Sequence, residues 1–203
     1  MMDRRRALIG QAKGRLPSEY QEVEWIKSDG NAYIDLSYVP TVGERYELSF
    51  YNASHSGDKM LFGADATYAE CYIASRFYGA CIPSKYSNVM GNTEQNINLI
   101  LVMNANQVSI SSSSQSLSSA PTSSITDINT KNMLVFRWNR SPAYGNDAAR
   151  IYYFKIFKGD ALFMYLVPCY RKNNNEIGMY DIVRKNFYVN AGSGNFTKGE
   201  DIE

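Results

Sequence analysis

The feature that most constrains this chain is a hydrophobic alternation of period two, carried by short segments and broken every few residues by turn formers. Tyr46, Leu48 and Phe50 fall on one side of an extended backbone, and Arg45, Glu47 and Ser49 fall on the other. Ile97, Leu99, Leu101 and Met103 repeat the pattern. Such segments build antiparallel sheets with one face in a core and one in water. Val23 and Trp25 alternate with Glu22 and Glu24, and beyond the turn signal Ser28-Asp29-Gly30-Asn31 come Ile34 and Leu36, a pattern that predicts a hairpin. Residues 133–138 and 151–157 are apolar on both faces, as central strands of a two-layer structure would be. Residues 161–167 continue that run until Pro168 is expected to interrupt it.

Composition agrees with this pattern. Sixteen tyrosines and nine phenylalanines favour pleated surfaces, where aromatic rings pack against cross-strand neighbours. A chain of 203 residues with 44% hydrophobic content holds one large core. The expected class is all-β, a two-layer antiparallel β-sandwich of the jelly-roll kind over residues 16–203, preceded by a short helix at 3–13 that Asp3 caps and Gly14 ends. The serine-rich stretch 109–124 is too polar to build core and reads as a loop, or as two short edge strands with a polar tip.

Charge is distributed unevenly. The whole chain carries a net +1, whereas residues 1–15 hold Arg4, Arg5, Arg6, Lys13 and Arg15 against Asp3 alone. That segment is either a solvated terminus or an arm that docks onto a partner through Arg4, Arg5 and Arg6. The near-zero total gives no field to draw nucleic acid or an anionic membrane. The apolar part of the first ten residues is too short for a secretory leader or a membrane span, so export by the usual route is not expected. Cys71, Cys81 and Cys169 have no zinc-site spacing and read as reduced thiols, although Cys71 and Cys81 could meet across a hairpin.

Two segments carry a resemblance to a known family. Leu16-Pro17-Ser18-Glu19-Tyr20-Gln21-Glu22-Val23-Glu24-Trp25-Ile26, followed by Gly30-Asn31-Ala32-Tyr33-Ile34-Asp35, resembles the opening of concanavalin A-like or laminin G-like domains found in phages and prophages of Bacteroides-type gut bacteria. Leu166-Val167-Pro168-Cys169-Tyr170, Ile177-Gly178-Met179-Tyr180-Asp181 and the run from Phe187 to Phe196 are similar to the close of those domains. The resemblance implies a virion structural protein, a fibre, tail or head-decoration component that presents a lectin-like domain to host-surface glycans. It also implies contacts with other virion proteins through the N-terminal arm, and a homo-oligomer, since virion parts repeat. A decoration subunit that binds no sugar and a glycoside hydrolase are the alternatives.

The residues themselves say less about chemistry. Glycosidases of this architecture need carboxylates on one strand face at a spacing such as Glu-x-Asp-x-x-Glu, and Glu22 with Glu24 lack a third in register, while Glu200, Asp201 and Glu203 sit at an end expected to be mobile. His55, the single histidine, lies in a loop without an orienting partner. No cofactor is expected. Asp58, Asp65, Asn146 and Asp147 offer oxygen ligands for calcium without forming a recognisable loop motif. For sugar binding, the set Arg137-Trp138-Asn139 with Tyr144, Asn146 and Asp147 joins aromatic, amide and charged groups in one stretch, and Arg76 and Tyr78 could lie nearby. Trp138 could equally continue the core face of Leu134 and Phe136.

Overall fold

Alternation and turn chemistry resolve into eighteen strands among the described residues. The computed structural model describes residues 15–41, 43–54, 59–64, 70–73, 77–82, 85–90, 95–104, 107–114, 116–119, 123–124, 131–139 and 145–203, with the backbone alone for 70–73, 77–82, 85–90, 117, 119 and 123–124. The expected helix at 3–13, Arg4, Arg5 and Arg6, and His55 lie outside the described residues. In chain order the strands are β1 (Tyr20–Glu22), β2 (Ile26–Ser28), β3 (Ile34–Asp35), β4 (Glu44–Asn52), β5 (Lys59–Gly63) and β6 (Glu70–Ile73). Next come β7 (Phe77–Ile82), β8 (Lys85–Met90), β9 (Ile97–Met103), β10 (Val108–Ser111), β11 (Ser116–Ser119) and β12 (Ser123–Ser124). The last six are β13 (Leu134–Val135), β14 (Ala149–Lys158), β15 (Ala161–Arg171), β16 (Glu176–Asp181), β17 (Asn186–Val189) and β18 (Phe196–Lys198).

They form two antiparallel sheets packed as a sandwich, the all-β two-layer class that the alternation predicts. The larger sheet runs β11-β10-β9-β4-β14-β15-β16-β17, with β1 paired to β15 and β2 paired to both β14 and β18. The smaller runs β12-β8-β7-β6-β5-β13-β3. Tyr46, Leu48 and Phe50 of β4 are fully buried, as are Phe154 and Ile156 of β14 and Leu61 and Phe62 of β5. The Phe62 ring lies 4.8 Å from Phe154 and 5.6 Å from Tyr46, which joins the two layers. Burying each such side chain contributes about 1.5–3 kcal/mol. The serine-rich stretch supplies β10, which lies between β9 and β11, and the end strands β11 and β12 of the two sheets, and Ile110 within it is core after all, because β10 alternates with Val108 and Ile110 inward.

Four local expectations are corrected. The predicted hairpin is a crossing between layers: β2 pairs with β14 and β18, whereas β3 pairs with β13. Asp29 makes the bend, its Oδ1 accepting the N–H groups of Asn31 and Ala32 at 2.9 and 3.0 Å and its Oδ2 accepting Asn195 N–H at 2.7 Å. Those bonds fix a turn without choosing a partner for β3, and Ile34 finds Val135 in the other sheet. Residues 151–157 meet core on one face only, and their other face looks outward from the larger sheet.

Strand β15 continues through Pro168, whose carbonyl accepts Val23 N–H at 3.0 Å. In a strand, a residue's N–H and C=O point the same way, so the donor that proline lacks faces Val23, just past the last β1 pair at Glu22 and Cys169. The C-terminal end is tied down: Asp201 bridges Val23 and accepts from Tyr170 Oη at 3.0 Å, and Ile202 N–H donates to the Glu22 carbonyl at 2.9 Å. Cys169 is a buried free thiol, pushed up to about 12 chiefly by burial and so unreactive as a thiolate. Strands β6 and β7 align Cys71 with Ala80 and Cys81 with Glu70.

Candidate functional site: a groove on the outer face of the larger sheet

Because side chains alternate, every strand that sends one set inward must present another set outward. Across β9, β4, β14 and β15 the outward set forms a groove of about 450 Å³. The segments at Arg15, Glu22–Trp25 and Ile202 wall it. A β-bulge shapes its floor: Ile151 pairs with Phe50 and Tyr153 pairs with Ser49, so Tyr152 is the extra residue at which the ladder shifts register. The bulge shifts the phase of the strand, and Tyr152 and Tyr153 both face outward between the buried Ile151 and Phe154. Bulges of this kind re-aim side chains beside binding sites.

The groove has two chemically different ends. At one end the charges are matched. Arg15 Nε donates to Glu22 Oε2 at 2.6 Å, a second Arg15 nitrogen pairs with Glu22 Oε1, and a third reaches Tyr165 Oη at 3.2 Å. Lys155 Nζ donates to Glu47 Oε1 at 2.7 Å and sits 4.5 Å from the centre of the Tyr153 ring. Burial alone would raise the Glu47 carboxyl, but hydrogen bonds from Lys155 and Tyr153 and the charges of Lys155 and Arg45 outweigh it and hold the group below its ordinary value. Tyr153 is driven up, first by burial and then by the Glu47 hydrogen bond and charge, which keeps its phenol a donor.

At the other end stand Arg150, Trp25, Tyr51, Asn98 and Tyr152. Arg150 lies opposite Tyr51 in the ladder, and its guanidinium is 5.2 Å from the Tyr51 ring centre and 4.6 Å from that of Trp25. Tyr152 Oη donates to Asn98 Oδ1 at 2.8 Å. Ser49 and Ile100 lie between the two ends. Rings with neighbouring amide, hydroxyl and guanidinium groups can hold the C–H faces of a sugar and its hydroxyls together.

The stretch singled out in the sequence is placed elsewhere and has structural duties. Trp138 is buried, continuing the core row of Leu134 and Phe136. Arg137 forms an isolated bridge with Gly145 and stacks its guanidinium 4.9 Å from the Tyr33 ring centre. Asn139 Nδ2 donates to the Asn132 carbonyl at 2.8 Å. Asn146 is fully buried, its Oδ1 accepting Ala148 N–H at 2.9 Å and Ala149 N–H at 2.8 Å, which opens β14. Asp147 pairs with Lys59 at 2.6 Å. Tyr144 and Arg76 lie outside the described residues, and of Tyr78 only the backbone in β7 is described. Among the described residues no cluster of three metal-ligating side chains occurs, and Asp58 and Asp65 lie outside them.

The groove residues were missed because their surroundings are assembled from seven separated segments. A signal existed in the adjacent Tyr152 and Tyr153, which break strict alternation where a strand otherwise keeps it. Glu47, which reads in the sequence as a plain solvent-facing residue, is brought beside Glu22 and Glu24 in the same groove.

No protein-family model matches the chain, and no curated protein matches it. Among solved structures it is similar to a candidate carbohydrate-binding protein from Bacteroides ovatus ATCC 8483, at a TM-score of 0.59 and 8% identity, over 90% of this chain. The chain spans 62% of that protein's length. At this identity the likeness is one of fold, and it places the chain among proteins built on the same two-layer β-sandwich.

Proposed function

We propose that the domain is a glycan-binding module whose site is the outer groove of the larger sheet. The observation that carries this reading is the bulge in β14, which turns two successive tyrosines outward onto a floor with amide and charged neighbours. The carbohydrate-binding role ascribed to the Bacteroides ovatus protein points the same way. Binding without turnover fits the carboxylates. Glycoside hydrolysis needs one acid that stays protonated near neutral pH, whereas Glu47 is held ionised by Lys155. The resemblance of the opening and closing segments to phage domains supports a virion setting, in which many copies turn weak single-site affinity into firm attachment.

The test is a glycan array probed with the multimerised full chain, alongside Tyr152→Ala and Trp25→Ala variants with unchanged melting curves. Saturable binding that both variants lose, with no new reducing ends released from bound glycans, is the expected result. Binding that survives both variants would move the site away from the groove. A complete lack of binding at high avidity would leave a decoration subunit whose contacts are with other virion proteins.

A further inference from the structure

Three cations line the groove, and among the described residues two of them are paired with carboxylates. Arg15 is spent on Glu22 and Lys155 on Glu47. Arg150 forms no ion pair among the described residues; it is exposed and flanked by the Trp25 and Tyr51 rings. Glu24 lines the same groove and makes no ion pair with it. Rings against a guanidinium restrict its rotamers and leave its in-plane N–H donors for a planar acceptor, the geometry that suits two parallel bonds to a carboxylate. Asn98, which accepts from Tyr152, keeps two amide donors of its own beside that position.

Resting on the glycan-binding reading, we infer that the groove selects sugars bearing a carboxylate, with Arg150 as the acid-binding residue and the Tyr152 end of the floor as the ring platform. A uronic acid within a polysaccharide and a terminal sialic acid present the same group. The matched Glu22 and Glu47 end then takes a neutral neighbouring residue of the chain.

The experiment titrates the full-length protein by calorimetry with galacturonate oligomers and with sialyllactose, each beside its own methyl ester, which keeps the shape and removes the charge. One free acid is expected to bind at least about tenfold more tightly than its ester, and which one does so identifies the source. Arg150→Gln should abolish that preference, so that free acid and ester bind alike, and Arg150→Lys should restore only part of it. Equal affinity for acid and ester, or a preference that survives Arg150→Gln, overturns the inference. Neutral glycans bound in the groove and lost with Tyr152→Ala would in that case leave the glycan-binding reading intact, whereas failure of every sugar would overturn both.

Discussion

Two regions of this molecule have nearly the same chemical inventory and put it to opposite uses. The corner formed by 137–139 and 145–147 and the outer groove each contain an arginine on an aromatic ring, a tryptophan, an asparagine and a carboxylate. In the corner, the backbone consumes these groups. Asn146 satisfies two N–H groups at the start of β14, Asn139 satisfies a carbonyl, and Trp138 fills core. In the groove, the strands pair through the backbone without these side chains, so the outward residues of β4, β9 and β14 are left to one another and, on the proposed reading, to a ligand. What separates a site from a scaffold here is the hydrogen-bonding obligation of the nearby backbone, and residue content does not reveal it.

The sharpest way to test that contrast is to alter the corner. Gly145 touches the opposing turn so closely that a Cβ there would stand 1.9 Å from the Gly30 carbonyl oxygen. Backbone cannot yield as a flexible side chain does, so Gly145→Ala is expected to destabilise the fold by about 3 kcal/mol, the upper range for overpacking. A denaturant melt with an unchanged slope checks it; a loss below about 1 kcal/mol would show that the corner is plastic. Asn146→Ala comes next. It orphans the N–H groups of Ala148 and Ala149, at a cost of about 2 kcal/mol. Neither variant, once folded, should change glycan affinity.

A groove substitution should behave in the reverse way. Tyr152 is the extra residue of the bulge, and its side chain is half-buried on the outer face. Tyr152→Ala is therefore expected to shift stability by under about 1 kcal/mol, since the lost ring leaves no sealed cavity. Binding should weaken about tenfold or more, as removal of a ring platform does. If Tyr152→Ala lowers stability as far as Asn146→Ala does, the bulge is a structural device and the distinction between the two regions collapses.

These particulars show how much was legible beforehand. The two-layer sandwich could be read because period-two alternation is a local property: Tyr46, Leu48 and Phe50 declare an inward face wherever β4 ends up. Partners could not be read in the same way. The bend at Asp29 is encoded by its own carboxylate, yet Ile34 pairs with Val135, a residue about a hundred positions away that no local rule selects. The groove fails to announce itself for the same reason, since Arg15, Trp25, Glu47, Asn98 and Arg150 become neighbours only after β2, β4, β9 and β14 align. The corner, by contrast, looked like a site because its polar and aromatic residues are adjacent in sequence.

The smallest expected effect is also the most diagnostic, because it compares two glutamates on one strand. Glu44 and Glu47 stand three residues apart on β4 and so face opposite sides of the sheet. Glu44 is buried and accepts from Tyr38, from Thr41 N–H and Oγ1 at 3.0 and 2.7 Å, and from Tyr46 at 2.5 Å. Burial raises it above its ordinary 4.5 despite those hydrogen bonds and the Lys158 charge. A carboxyl raised in the folded state contributes stability below 4.5 that is lost as pH climbs through the folded value. Glu47 is lowered, so its contribution is present above 4.5 and is lost as pH falls through the folded value. Measured across acid pH, the stability deficit of Glu44→Gln should therefore shrink as pH rises, while that of Glu47→Gln should grow to no more than about 1 kcal/mol, as a part-exposed pair allows. Parallel slopes would mean that the inward and outward faces of β4 are not the electrostatic opposites that the core and the groove require.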